Sequence, residues 1–222
     1  NYYETMKTSS SATNTRKKQE GDYIDSQLNY SFILNKLNQN YQPSDGYKTS
    51  FSQSIPIYSD DLVITNSFAY STYHSFFENQ VLGINFLIKS ADSLSGDDIR
   101  VSKRLTIPSR RLRGFENGKV GPVDAGDYIG GNYASVLNFS TNLPNLLSQV
   151  QNLDFSVFVD AANLWGVDYD SSLDNSKIRS STGIAIDWFT PVGPLNFSFA
   201  QPISKSSSDV TEFFRFDIGT TF

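Results

Sequence analysis

The sequence predicts an all-β fold, an antiparallel β-barrel that spans a membrane, and three patterns support this prediction. Alternation of apolar and polar residues recurs in nine segments and reaches the last residue of the chain. No helical period is sustained anywhere in the 222 residues. The residues that alternate with the apolar ones are mostly small and polar, which suits a water-filled lumen better than the dry core of a β-sandwich.

Four strands are predicted before residue 90, at residues 27–37, 47–57, 62–72 and 82–88. Ile33 is an exception to the alternation, because it lies on the polar face of the first strand. The segment Pro43-Ser44-Asp45-Gly46 is a turn signal between the first two strands. The apolar faces of the four strands are, in order, Leu28, Tyr30, Phe32 and Leu34; Phe51 and Ile55; Leu62, Ile64, Phe68 and Tyr70; and Leu82, Ile84, Phe86 and Ile88.

Five strands are predicted after residue 130, at residues 133–141, 153–160, 182–189, 195–201 and 214–222. The last of them ends on an aromatic residue. This fits the strands of outer-membrane barrels, whose outward face has to be apolar. The apolar faces of these strands are, in order, Leu137 and Phe139; Leu153, Phe155, Val157 and Val159; Ile184, Ile186 and Trp188; Leu195, Phe197 and Phe199; and Phe214, Phe216, Ile218 and Phe222.

The connections between the strands also favour a transmembrane barrel. The turn 191–194 is tight, whereas the polar segments 164–179 and 202–210 are longer, and barrels carry short turns on one rim and longer loops on the other. The connection 142–152 is of middle length and fits this rule less well.

Bacterial single-chain barrels have an even number of strands, whereas nine are predicted here. We therefore expect this chain to be the C-terminal part of a longer protein, and Asn1-Tyr2-Tyr3 is compatible with the end of a tenth strand.

The composition gives no sign of an enzyme or of a metal site. The net charge is −5 and Lys and Arg are scattered, which argues against a nucleic-acid partner. Cysteine is absent and His74 is the single histidine, so neither a thiolate site nor a multi-histidine cluster is possible. Asp60-Asp61 and Asp97-Asp98 are interpreted as solvated loop charge. We therefore expect no enzymatic activity, no catalytic residue, no metal and no cofactor.

Residues 90–130, called the long loop below, carry the most specific motif of the chain. A loop of this length is uncommon in a compact domain and is usually functional or disordered. Together with three later segments, its motifs resemble the BamA family, the outer-membrane protein assembly factors, continuously from about Lys103 onward. The matching segments are Leu112-Arg113-Gly114-Phe115, Gly121-Pro122 and Asp127 to Asn132 in and after the loop, Phe158 to Trp165, Ser181 to Leu195, and the tail that ends at Phe222.

The resemblance implies a sixteen-stranded barrel, of which this chain supplies about the last nine strands, with the long loop folded into the lumen. It also implies that Arg113 meets a carboxylate on the barrel wall, that Gly114 allows a tight bend and that Phe115 anchors the loop by packing. The alternation independently places Asp160 on the lumen face, so Asp160 is the matching acid. The family often has a second acid where this sequence has Asn138, and this departure leaves only a neutral acceptor there.

The resemblance gives the last strand two roles, a recognition signal and one side of a seam at which client strands are templated by β-augmentation. The residues concerned are Phe214, Phe216, Ile218, Gly219 and Phe222. Gly219 either allows a kink at this seam or relieves crowding on the lumen side. The implied location is the bacterial outer membrane, and the implied partners are unfolded outer-membrane proteins, outer-membrane lipid and the lipoproteins of the assembly complex.

Two other functions are compatible with the same pattern. A translocation pore of two-partner secretion type shares the barrel and the Arg-Gly-Phe loop, and it would carry two periplasmic repeat domains upstream, where an assembly factor carries five. An outer-membrane phospholipase or protease would need a nucleophile and a base in the barrel wall, and no motif links a serine to His74.

Overall fold

A computed structural model describes residues 2–40, 42–77, 80–144, 152–174, 176–191 and 193–219. Ten strands form one antiparallel sheet in which each strand pairs with its neighbours along the chain, and two short strands form a separate hairpin. The strands are β1 (Tyr2–Met6), β2 (Gly21–Asn35), β3 (Gly46–Ser59), β4 (Val63–Phe77), β5 (Gln80–Ser93), β6 (Val123–Asp124), β7 (Asp127–Tyr128), β8 (Tyr133–Asn142), β9 (Leu153–Trp165), β10 (Arg179–Thr190), β11 (Gly193–Ser204) and β12 (Phe214–Ile218).

Little of the described chain is helical. One short α-helix, α1, spans Asn14–Lys17, and three single-turn 3₁₀ helices span Val101–Lys103, Ser109–Arg111 and Ser171–Leu173. The Thr13 side chain caps α1 by accepting a hydrogen bond from the Arg16 amide. No helix among the described residues is long and apolar enough to cross a membrane.

The prediction of an all-β antiparallel fold is confirmed, and all nine predicted strands are present. A tenth strand, β1, begins at Tyr2, where the sequence was compatible with a strand end. The long loop was predicted to begin at residue 90, but residues 90–93 belong to β5, where Ser90 pairs with Tyr133, so the loop occupies residues 94–132. Ser90 and Asp92 occupy the next two outward positions of β5. Because both side chains are polar, the apolar pattern stops at Ile88 and the end of the strand was not predicted.

The connections fall on two rims of the sheet, since consecutive strands run in opposite directions. One rim carries the connections 7–20, 60–62, 94–132, 166–178 and 205–213, and the other carries 36–45, 78–79, 143–152 and 191–192. The longest connection and the shortest turns therefore lie on opposite rims, as predicted, although 60–62 is short on the long-loop rim. Residues 220–222, and with them the predicted signal residue Phe222, lie outside the described residues.

The two faces of the sheet differ in chemistry. The outer face is largely apolar and exposed, with Ile184 at 45% and Ile218 at 67% of their full accessible surface. Aromatic rings lie in contact across β11 and β12, where the Phe197 and Phe216 ring centroids are 5.1 Å apart. The opposite, inner face carries buried polar residues such as Asp160 and Ser198. This distribution fits a barrel wall between lipid and a filled lumen.

One stretch of the outer face is polar, and its side chains form hydrogen bonds with one another. The Tyr30 hydroxyl donates to Gln53 Oε1 at 2.5 Å, and Gln53 Nε2 donates to Asn66 Oδ1 at 2.5 Å. Asn66 Nδ2 then donates to Ser90 Oγ at 3.2 Å, so the ladder crosses β2 to β5. Such bonds reduce the cost of placing polar groups against lipid.

The main apolar core lies between the long loop and the inner face. The loop contributes Leu112 and Phe115, each 1% exposed, and each such buried side chain stabilises the fold by roughly 1.5–3 kcal/mol. The whole cluster consists of Leu87, Ile107, Leu112, Phe115, Val120, Ala134, Val136, Ala162 and Leu164. The loop is therefore a part of the folded core.

The assignment of the two faces can be tested with a matched pair of lysine substitutions in the full-length protein. Ile184→Lys places a charge in the middle of β10 on the outer face, and we expect it to lower the free energy of unfolding in lipid vesicles by roughly 2–4 kcal/mol. Ser156→Lys places the same charge on the inner face, next to a lumen cavity, and should cost much less. Equal losses in urea titrations would show that the face assignment is wrong.

Candidate functional site

The motif of the long loop meets the barrel wall through a two-point ion pair. Arg113 Nε lies 2.8 Å from Asp160 Oδ2, and Arg113 Nη2 lies 2.7 Å from Asp160 Oδ1. The Arg113 backbone amide also donates to Asp160 Oδ2 at 3.1 Å. The structure thus brings together the two residues that the sequence paired, with the planar geometry that suits a guanidinium and a carboxylate.

Asp160 is fully buried and its carboxylate is saturated with donors. Its remaining donor is Asn138 Nδ2, at 2.8 Å from Oδ1, and the same amide group donates to the Arg111 carbonyl oxygen at 2.8 Å. Asn138 was expected to leave a neutral acceptor in place of a second acid, and in the structure its amide nitrogen acts as a donor to Asp160. Both of its partners are acceptors, so a second acid at position 138 would repel Asp160 in this arrangement.

The Arg113 guanidinium also stacks on an aromatic ring. Its Cζ lies 3.4 Å from the centroid of Phe158, which is 2% exposed and stands two residues before Asp160 on the same face of β9. The ring excludes water from one side of the ion pair and adds a cation–π attraction. Removing either charge would leave the other buried and unpaired, which typically costs roughly 3–5 kcal/mol.

The next two residues of the motif fix the path of the loop. Gly114 has a φ of +89°, and a Cβ there would lie 3.1 Å from the Ala200 Cβ, so both backbone conformation and space favour glycine. The Ser181 hydroxyl donates to the Arg113 carbonyl oxygen. Phe115 is buried and forms an isolated bridge with Thr211. The motif therefore touches β9, β10, β11 and the 205–213 connection.

Other buried ion pairs hold the loops on the same rim, and sequence reasoning missed them. Arg179 Nε lies 3.0 Å from Asp209 Oδ2, with both side chains fully buried. Arg179 had been assigned to a loop, but it begins β10 on the inner face. Extending the alternation of Ser181 and Gly183 back by two residues would have placed Arg179 there. Arg104 of the long loop, whose side chain is also fully buried, pairs with Asp168, which is 24% exposed.

The acidic pair Asp60-Asp61 is more than solvated charge. Asp61 Oδ2 lies 2.9 Å from Arg100 Nε, and Asp60 accepts a hydrogen bond from the Ile24 amide at 2.7 Å. Burial raises the pKa of the Asp61 carboxyl above its ordinary value, although Arg100 and Lys103 oppose this shift. The interpretation as solvated charge is therefore wrong for Asp61, which Arg100 of the long loop covers, whereas Asp60 is exposed as expected. No group of three or more His, Asp or Glu residues in the described ranges is arranged to hold a metal ion.

The last strand presents its apolar residues outward as predicted. Phe214, Phe216 and Ile218 are 46%, 45% and 67% exposed on the outer face. Gly219 has a φ of +109°, and no described atom lies within 4 Å of the position that its Cβ would take. A positive φ of this size is a backbone conformation that favours glycine, and the choice between a kink at the seam and relief of crowding stays a prediction.

Comparison with known proteins gives a consistent match. A sequence model of the Omp85 superfamily domain matches residues 1–222. The chain is 26% identical over 213 residues to the outer membrane protein assembly factor BamA of Neorickettsia risticii, which covers 93% of the chain and 28% of that protein. It is 28% identical over 139 residues to BamA of Neisseria meningitidis serogroup B, which covers 50% of the chain and 17% of that protein.

A solved structure agrees with the sequence comparison. The crystal structure of BamA from Haemophilus ducreyi lacking POTRA domains 1–3 is similar with a TM-score of 0.82 and 26% identity, over 92% of this chain and 44% of that chain. The resemblance predicted from the loop motif and the last strand is confirmed. The chain spans 28% or less of the length of these two assembly factors.

A double-mutant cycle measures the contact between Arg113 and Asp160 in the full-length protein. We expect Arg113→Ala and Asp160→Ala each to lower the free energy of unfolding by roughly 3–5 kcal/mol, because each leaves a buried charge unpaired. The double variant should lose much less than the sum, and urea unfolding in lipid vesicles measures all three losses. Arg113→Lys is the control, since it keeps the charge and loses the two-point contact. Additive losses would contradict the coupling.

Proposed function

Since the chain belongs to the Omp85 superfamily, we propose that it forms part of a machine that assembles β-barrel proteins and inserts them into the bacterial outer membrane. The chain itself is an outer-membrane β-barrel protein, in agreement with the apolar outer face of its sheet. The proposed machine acts without covalent chemistry and without a cofactor. Its clients would be unfolded outer-membrane proteins, and its other partners outer-membrane lipid and the lipoproteins of an assembly complex.

The observation that carries this proposal is the match of residues 1–222 to the Omp85 superfamily domain, together with the pattern of the last strand. β12 pairs with β11 from Leu195 opposite Ile218 to Phe199 opposite Phe214, and its apolar residues face outward. In a closed barrel the other edge of a last strand meets the first strand, and such a seam offers backbone donors and acceptors to an incoming strand when it opens. We propose that β12 forms one side of such a seam, where a client strand pairs with it by β-augmentation.

The long loop supports this role by making the wall next to β12 rigid. The ion pair of Arg113 and Asp160 fastens the loop to β9, and Phe115 fills the space beside β11 and the 205–213 connection. A templating edge has to be held in a defined register, because a shift of one residue would exchange the lipid-facing and lumen-facing sets of side chains. We propose that the loop motif supplies this rigidity rather than contacting the client.

Site-specific cross-linking tests whether β12 pairs with client strands. The natural sequence has no cysteine, so a single introduced cysteine is unique in this part of the protein. We expect Ile218→Cys in the full-length protein to form disulfides with cysteines placed along the last strand of a stalled client. Ile184→Cys is the matched control, because it is also exposed on the outer face but lies on β10, which is paired on both edges. Equal cross-linking at both positions would rule out templating at β12.

A further inference from the structure

The outer face of β5 changes from charged to apolar in the order in which a phospholipid does. Starting from the rim that carries the long loop, its successive outward residues are Asp92, Ser90 and Ile88. The residues between them point to the inner face, where Ala91 is fully buried. Two residues of a strand span roughly 6.6 Å. A carboxylate, a hydroxyl and an aliphatic side chain therefore follow one another at this spacing on the face that meets lipid.

A row of four paired residues marks the level of the membrane interface on this face. Asn66 of β4 pairs with Ser90, Ser90 pairs with Tyr133 of β8, and Tyr133 pairs with Trp165 of β9. The ring centroids of Tyr133 and Trp165 are 5.8 Å apart. Tyr and Trp on lipid-facing strands are typical of the headgroup level. Ser90 and Asn66 therefore lie at the depth where the acyl chains of a lipid join its head.

Two polar groups at this level have bonding capacity that the described residues do not use. The Ser90 hydroxyl accepts a hydrogen bond from Asn66 Nδ2 at 3.2 Å, and it donates to no described group. Asp92 Oδ1 accepts the Tyr133 hydroxyl at 2.7 Å, while no described residue supplies a donor or a cation to Oδ2. A polar group that faces lipid is costly unless it is bonded. A donor at Ser90 and an acidic acceptor at Asp92 are therefore open to a membrane ligand.

An apolar groove lies on the side of this row away from the long loop. Phe51, Phe68 and Ile88 pair side by side across β3, β4 and β5 and line the groove, and Asn66 and Ser90 line it as well. It is called the β4–β5 groove below. Phe68 and Ile88 are 37% and 42% exposed, so a hydrocarbon chain can pack on them without displacing a protein side chain.

The orientation of Asn66 is fixed by the polar ladder of the outer face. Gln53 Nε2 donates to Asn66 Oδ1, which turns Asn66 Nδ2 toward Ser90. An amide nitrogen carries two hydrogens, and Ser90 takes one of them. The second hydrogen and the Ser90 hydroxyl form a pair of neutral donors at the top of the β4–β5 groove. Such a pair suits a carbonyl oxygen.

We infer that the β4–β5 groove binds a zwitterionic phospholipid with an ammonium headgroup, such as phosphatidylethanolamine. The ammonium group donates to Asp92, an ester carbonyl accepts from Ser90, and an acyl chain lies along Phe68 and Ile88. None of the outward positions of β4, β5, β8 and β9 carries Lys or Arg, so a lipid with a net negative charge would meet only the repulsion of Asp92.

This inference specifies the lipid partner named in the proposed function and does not depend on templating at β12. Its test uses no client protein. If client cross-linking at Ile218→Cys fails, templating is overturned and the lipid site is untouched. If lipid binding fails as described below, the lipid site is overturned and templating is untouched.

Native mass spectrometry of the full-length protein measures the lipid that stays bound. The probes are phosphatidylethanolamine and phosphatidylglycerol with identical acyl chains, because they share the ester linkages and differ in the ammonium group. We expect the natural protein to retain phosphatidylethanolamine about fivefold better. Asp92→Asn should abolish this preference, and it guards against poor folding because its amide oxygen can still accept from Tyr133. Equal retention of both lipids by the natural protein would overturn recognition of the ammonium group.

A second variant tests the part of the site that both lipids share. Asn66→Leu combined with Ser90→Ala removes the two neutral donors, and we expect it to lower the retention of both lipids about fivefold. Gln201→Leu is the matched control, since Gln201 is an exposed polar residue on the outer face of β11, outside the groove. If the double variant retains both lipids as well as Gln201→Leu does, the β4–β5 groove is not a lipid site.

Discussion

The buried pair of Arg113 and Asp160 is the interaction on which the rest of this structure depends. A long polar loop would not stay against the inner face of the sheet through apolar packing alone, because its segments carry several arginines. The pair satisfies both oxygens of Asp160, and it stacks the Arg113 guanidinium on Phe158. With the loop fixed there, Leu112 and Phe115 are buried on either side of Arg113 and Gly114. Ion pair and core therefore stabilise each other.

Much of the sheet could be predicted from the sequence because lipid imposes a strict pattern. A residue that faces the membrane has to be apolar, and its neighbour faces the lumen, so the alternation of Ile184 and Ile186 with Ala185 identifies β10 directly. The strand ends were less predictable. At the loop-bearing end of β5 the outer residues are polar, as at Ser90, and this strand continues by backbone pairing after the apolar signal has stopped.

The candidate site could be predicted only where a motif coincided with the alternation. Arg113 and Asp160 met both conditions. The pair of Arg179 and Asp209 belongs to no motif, and the alternation could have placed Arg179 but not Asp209. The two residues come from segments with the composition of polar loops and are brought together by the path of the chain. Asn138 shows a further limit. Its position was right, but whether its amide donates or accepts depends on the Arg111 carbonyl oxygen, which no sequence pattern places.

The ion pairs of the structure differ in burial, so they differ in what their loss would cost the fold. Breaking the pair of Arg179 and Asp209 would leave two fully buried charges without a partner, whereas the Arg110 side chain is 41% exposed and loses little when its pair with Asp217 breaks. The buried pairs therefore fix the 205–213 connection against β10 and the long loop against β9, and the exposed pair adds little to either.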